Sequence, residues 1–279
     1  MTIFGLSEEL VRPAVFVLVL LLMVLAETVC PRKVRTQIRW HRWFTNVSLV
    51  VVNTIALRVF VPILAVGMAM YVDARGWGLL GLFGLPDWVE IVAAILLLDL
   101  AIYAQHVASH KFPLLWRVHK VHHVDRDIDV TTGARFHPIE ILLSMAFKLV
   151  CVVVLGPSAF AVFLFELILS TSAMFNHSNV RLPTVVDRVL RTLIVTPDTH
   201  RVHHSIIHQE TDSNYGFFLS TWDRVFNTDT AQPQYGHDGM TIGLKNHQSD
   251  APSHLVWSLI LPFAGEPHQS TPDYQASKS

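Results

Sequence analysis

The sequence predicts an all-α integral membrane protein, with about four transmembrane or hairpin helices and a cytoplasmic helical cap holding a polyhistidine dimetal site. Three observations carry this prediction. Hydrophobic residues make up 51% of the 279-residue chain and charged residues 15%, and the apolar residues gather in long unbroken runs of the kind that cross bilayers. Lysine and arginine collect on one side of those runs, as cytoplasmic loops do. Eight of the 16 histidines fall in three boxes: His106 and His110; His119, His122 and His123; His200, His203 and His204. The formal net charge of −1 gives no basic footprint for nucleic acid. Cys30 and Cys151 form neither a disulfide framework nor a CxxC site.

The whole chain, residues 1–279, reads as a single domain. Residues 11–29 form the first apolar run. It is too long for a signal-peptide core and no small-residue cleavage site follows, so it is expected to be a retained membrane helix. Arg32, Lys33, Arg35, Arg39 and Arg42 follow with no acid among them, predicting a cytoplasmic loop. Residues 47–71 are the second run; Asn53 and Arg58 within it must face protein, water or headgroups. An outer loop leads to the third run, 88–110, which brings His106 and His110 out on the cytoplasmic side beside Lys111, Arg117, Lys120 and Arg126.

Residues 111–138 begin the cap. His137-Pro138 then opens a helix at 139–155. Gly156-Pro157 turns the chain, and 159–175 returns as the second arm of a short hairpin. Lys148 and Glu166 interrupt these two runs. Residues 176–228 complete the cap, with an amphipathic stretch at Val185 to Val195 and Asp198 as expected cap of the helix carrying the third box. Residues 229–279 read as a polar C-terminal tail whose histidines (His237, His247, His254, His268) are surface residues.

On a helix, residues i, i+3 and i+4 share a face, so each box is expected to aim its imidazoles at one point. His177 emerges at the cytoplasmic end of a membrane helix and is expected as a ninth ligand, the alternative being a helix-end histidine that meets backbone carbonyls. Nine imidazoles exceed the needs of one ion; two ions with four or five ligands each fit. His137 has no helical partner and is either a ligand or a group that orients one. Asp99 lies two turns deeper than His106 on the same face. It either orients an imidazole or a water, or pairs with a base such as Arg58. Asp198, Asp223 and Asn214 either orient ligands likewise or serve as caps and turn residues. A structural zinc site would use four ligands and favour cysteine. Iron adds redox chemistry with O₂ that zinc lacks, so two Fe²⁺ ions with O₂ as co-substrate are expected.

The boxes stand with Phe136-His137-Pro138-Ile139-Glu140, Asn176-His177-Ser178, the stretch Thr196 to Ser205, Asn214-Tyr215-Gly216 and Trp222-Asp223. In this order they resemble the fatty acid hydroxylase superfamily, in particular bacterial sterol desaturase family proteins. The resemblance implies a membrane di-iron oxidase that hydroxylates or desaturates sterols, fatty acyl chains, sphingolipids or ether lipids. It puts the ligands at His106, His110, His119, His122, His123, His177, His200, His203 and His204. Electrons would come from a separate donor, a ferredoxin or a b-type cytochrome with its reductase. The expected location is a bacterial inner membrane, with the boxes on the cytoplasmic side. Two alternatives remain at this stage: a zinc-dependent membrane lipid hydrolase with a base such as Asp99, and a metal transporter or sensor.

Overall fold

A computed structural model describes residues 2–3 and 6–265. After a two-residue antiparallel pairing of Thr2–Ile3 with Leu6–Ser7, these residues are helical. The long helices are α1 (Glu8–Val29), α2 (Arg39–Phe60), α3 (Ala65–Asp73) and α4 (Asp87–Lys111). Next come α5 (Pro113–His123), α6 (Pro138–Leu155) and α7 (Ala159–His177). Six short helices follow: α8 (Thr184–Leu190), α9 (Pro197–His203), α10 (His208–Thr211), α11 (Thr221–Val225), α12 (Gly236–Gly239) and α13 (Leu255–Ile260).

Among the described residues, five stretches are long and apolar enough to cross a membrane: α1, α2 with α3, α4, α6 and α7. The expected run at 47–71 differs from the structure in two ways. Its helix starts earlier, at Arg39, and it breaks after Phe60. Pro62 offers no amide hydrogen and biases the residue before it toward extended backbone. Val61 accordingly adopts φ −118°, ψ 99°, and a new helix begins at Ala65.

Apolar side chains from four helices build the buried centre of the bundle: Ala65 and Ala69 of α3, Leu98 and Ile102 of α4, Val152 of α6, and Phe163 and Phe165 of α7. Leucines such as Leu18, Leu21 and Leu25 of α1 stay exposed, which suits a surface solvated by lipid. Where the loop after α3 crosses the α6–α7 turn, Gly78 (φ 108°) meets Gly156 (φ 61°). A Cβ on Gly78 would lie 2.2 Å from the Gly156 Cα, so only glycine allows the crossing.

The cap is held by buried ion pairs. Arg42, expected as part of a solvated basic loop, is fully buried. Its Nε and Nη2 donate to the two Asp125 oxygens at 2.6 and 2.7 Å, and its Nη1 to Asp129 Oδ2 at 2.8 Å. A guanidinium leaves water only when its donors are satisfied in this way. Burial pushes the Asp125 carboxyl up, but the Arg42 guanidinium outweighs it and holds the group well below the usual carboxylate range. Arg135 donates to Val121 O, Asn46 Oδ1, Pro252 O and Ser258 Oγ, each at 2.8 Å.

Those last two partners correct the expectation of a loose tail from residue 229. Leu261, just beyond α13, packs with Leu49, Val121 and Val124, so the segment near residues 251–263 closes the cap. Residues 266–279, including His268, lie outside the described residues. His237 is a second correction: it is only 6% exposed, with Nε2 3.7 Å from Asp198 Oδ2.

Candidate metal centre

Four elements deliver nine histidines to one place. The last turns of α4 carry His106 and His110, α5 carries His119, His122 and His123, α7 ends at His177, and α9 with the next residue carries His200, His203 and His204. Their side chains are buried. They sort into two groups of ring nitrogens, each lying within 4.8 Å of one another: His106, His110, His119, His123 and His203 form one, and His122, His177, His200 and His204 the other.

The expectation that each box aims at one point holds for His106 and His110 but is overturned for the other two boxes. Helical residues advance by about 100° each, so i and i+4 lie about 40° apart while i+3 falls about 60° to the other side. His119 and His123 therefore share one group and His122 joins the other; His200 and His204 share the second group while His203 crosses to the first. The second and third boxes each feed both groups, while His106 and His110 of the first box stay together.

Hydrogen bonds behind the rings fix which nitrogen faces inward. Nδ1 of His106 donates to Tyr215 O at 2.7 Å, and Nδ1 of His203 to Ser213 O at 2.7 Å. In the other group, Nδ1 of His122 donates to Arg135 O at 3.2 Å and Nδ1 of His177 to Ala173 O at 2.6 Å. A carbonyl only accepts, so these four Nδ1 atoms carry the hydrogen, and each Nε2 of the neutral ring presents a bare lone pair. Yet His122 Nε2 and His177 Nε2 are 3.0 Å apart, and His106 Nε2 and His203 Nε2 are 3.1 Å apart. Two lone pairs at that distance repel unless a cation lies between them.

The donor set therefore fits bound metal. Orphaned buried nitrogens agree: both nitrogens of His110 and of His204, and Nδ1 of His123 and of His200, have no hydrogen-bond partner. Burial, and then the neighbouring imidazoles, push His122, His123, His200 and His204 well below the usual histidine pKa. Burial takes His203 down to about 3. All five are thus neutral, the form that binds metal. Spacing also bears on the ion. Two nitrogens about 2.1 Å from one ion stand about 3.0 Å apart at right angles and about 3.4 Å apart at the tetrahedral angle. The Nε2 pairs, from 2.9 Å (His200 to His177) to 3.2 Å (His123 to His119), have the spacing of nitrogens that share one ion.

The remaining sequence-predicted residues are placed differently. His137 joins neither group: as N-cap of α6 it accepts from Ile139 N at 3.2 Å, and its Nε2 donates to Leu259 O at 3.2 Å. Asp99 does not pair with Arg58, which is exposed. Its Oδ2 accepts from Leu219 N at 3.2 Å and Trp222 Nε1 at 2.8 Å. Asp223 accepts from Tyr215 N and Gly216 N, both at 2.8 Å, and burial raises its carboxyl to about 6. The two aspartates thereby brace the loop whose Tyr215 carbonyl holds His106. Asn214, at φ 52°, braces the same loop by donating to Thr199 O and Thr230 O, both at 2.9 Å. Asp198 does not cap α9: Thr196 does, with Pro197 in the first turn, while Asp198 pairs with Arg201 and Arg32.

Glu140 is the residue that sequence reasoning passed over. Its Oε1 accepts from His119 Nδ1 at 2.6 Å, a carboxylate behind a candidate ligand. An acid in a helix's first turn is ordinary, which hid it. The signal was an acid opening an apolar membrane run. Gly133 also matters: a Cβ there would lie 2.6 Å from Ala173 O, the atom that holds His177.

A cavity of about 550 Å³ lies beside the first group. His106, His119 and Glu140 line it, followed by apolar residues such as Ile102, Phe136, Leu169 and Phe217.

Comparison with known proteins gives a consistent picture. The model of the fatty acid hydroxylase family matches residues 91–228. An ornithine lipid hydroxylase of Rhizobium tropici is 30% identical over 144 residues, 51% of this chain and 42% of that protein. Human alkylglycerol monooxygenase is 29% identical over 171 residues, 59% of this chain and 36% of that protein. Methylsterol monooxygenase 2-2 of Arabidopsis thaliana is 28% identical over 166 residues, 58% of this chain and 62% of that protein. The aligned parts amount to less than two thirds of each of these relatives. No solved structure matches the chain significantly.

Proposed function

The chain belongs to the fatty acid hydroxylase superfamily, and from that premise we propose that it is a membrane di-iron oxidase that uses O₂ to hydroxylate or desaturate a C–H bond of a lipid. The substrate class is a sterol, fatty acyl, sphingolipid or ether lipid. The relatives named as lipid, alkylglycerol and methylsterol oxygenases support that range. The observation that carries the reading is the pair of inward-facing Nε2 contacts whose hydrogens are already committed outward.

In this reading His106, His110, His119, His123 and His203 hold one iron, and His122, His177, His200 and His204 the other. Bound there, the irons supply the reduction of O₂ and the power to oxidise a C–H bond. The chain's own groups do the rest. Tyr215 O, Ser213 O, Arg135 O and Ala173 O fix four rings in orientation and tautomer. Glu140 does the same for His119 and raises its basicity. Phe136 stacks on His122, with ring centres 4.6 Å apart, and keeps water from that side. The cavity lays an apolar chain against His106 and His119.

Hydrolysis at zinc is less well served. The base expected for it, Asp99, holds Leu219 N and Trp222 Nε1 through Oδ2 and does not line the cavity beside the histidines. A transporter would need a polar path across the bilayer, whereas the histidines gather at one level. Arg32, Lys33, Arg35, Lys111, Arg117 and Arg126 support a cap on the cytoplasmic side of an inner membrane. A separate ferredoxin or b-type cytochrome with its reductase supplies the electrons.

The test is O₂ uptake by the purified chain with a chemical reductant and total membrane lipid, read with mass spectrometry. The expected product is heavier by one oxygen atom, or lighter by two hydrogens. Stoichiometric zinc with no lipid-dependent O₂ uptake contradicts the reading.

A further inference from the structure

The cavity that begins at the histidines is lined further on by three charged side chains from the apolar helices: Arg12 of α1, Lys148 of α6 and Glu166 of α7. Arg12 Nη1 donates to Glu166 Oε2 at 2.6 Å, and Lys148 Nζ donates to Glu166 Oε1 at 2.9 Å. Both carboxylate oxygens are therefore used, and two cations face one anion. The trio carries a net positive charge inside an apolar layer; the side chains of Lys148 and Glu166 are 11% and 14% exposed. A charge in that setting is costly without a counter-ion. If its only task were to tie α1 to the α6–α7 hairpin, one cation and one carboxylate would do.

The spacing gives the excess charge a use. Glu140, Ser144 and Lys148 recur every four residues on one face of α6, and all three line the cavity. Glu140 holds His119, so Lys148 stands eight residues, about 12 Å of helix, from the level of the metal centre. The cavity walls between are mostly apolar. This is the shape of a site for an amphiphile with its polar end at the trio and its chain at the histidines.

We infer that Arg12, Lys148 and Glu166 bind an anionic group, carboxylate or phosphate, at one end of the lipid substrate. The carbon brought to the metal centre is then selected by its distance from that group. This deepens the oxidase reading and rests on it for the reaction, but not for the binding. Glu166 neutralises one cation and fixes both; the donors left on Arg12 and Lys148 take the ligand anion.

The test is equilibrium binding to the purified chain in neutral detergent, with three probes: a sixteen-carbon saturated carboxylate, its methyl ester and the sixteen-carbon alkyl phosphate. The chain should bind an anion about tenfold tighter than the ester. Lys148→Met should remove that preference while ester binding and metal content stay unchanged, and Lys148→Arg should keep it. Glu166→Gln, which leaves both cations in place, should increase it. Tighter binding of the phosphate identifies a phosphate-headed lipid, and tighter binding of the carboxylate a free acid. Equal binding of all three probes, or a preference that survives Lys148→Met, overturns the proposal. Because binding is read without turnover, failure here leaves the oxidase reading standing. A protein that prefers the anion but never consumes O₂ removes the oxidase reading alone.

Discussion

The two histidine groups lie side by side but are backed differently. The five-histidine group has a carboxylate, Glu140, behind His119 and a braced loop, residues 213–216, behind His106 and His203. Two of its members line the apolar cavity. The four-histidine group is backed by backbone carbonyls of Arg135 and Ala173, lines none of that cavity, and has Asp125 and Asp129 of the buried Arg42 cluster within electrostatic reach of His177. The difference is one of access: the first group faces the cavity, and the second is sealed into the cap.

The largest effects should come from single ligands on either side of this division. His203→Ala and His200→Ala change residues three apart on α9 that serve different groups. Each should abolish turnover while keeping about one of two irons, as measured by metal analysis. If either variant loses both ions, the groups are not independent. Next comes Arg42→Met, which strands two buried carboxylates behind the sealed group. It should cost about 3–5 kcal/mol of stability in denaturant unfolding, and the sealed group should lose its ion first. Glu140→Gln acts on the other side. It should weaken iron at the cavity-facing group by about 10–100-fold in chelator competition and leave the sealed group alone. The smallest effect is Thr196→Ala, which removes the cap of α9 and a 2.6 Å bond to Asp187. About 1 kcal/mol of stability should be lost, with both ions retained.

Legibility in the sequence followed the range of the interactions. Hydropathy and helical spacing are local, so the membrane runs and the histidine boxes could be read directly, and α4, α6 and α7 lie within two residues of the expected bounds. The sorting of the second and third boxes into two groups depends on where α5 and α9 lie relative to each other, which no local pattern encodes. Arg42 looked like a solvated loop residue because its partner, Asp125, is 83 positions away. The closing segment at residues 251–263 is short and mixed in composition, and its role rests on Arg135 reaching Pro252 and Ser258 from far upstream. His137 misled for the opposite reason: a histidine before proline at a helix start has a local task, the N-cap.

The claim that two irons share nine histidines is tested most directly by the metal content of the purified chain after expression in iron-replete medium. The expected result is about two irons per chain and no stoichiometric zinc. One ion per chain, or zinc in place of iron, contradicts the two-iron centre.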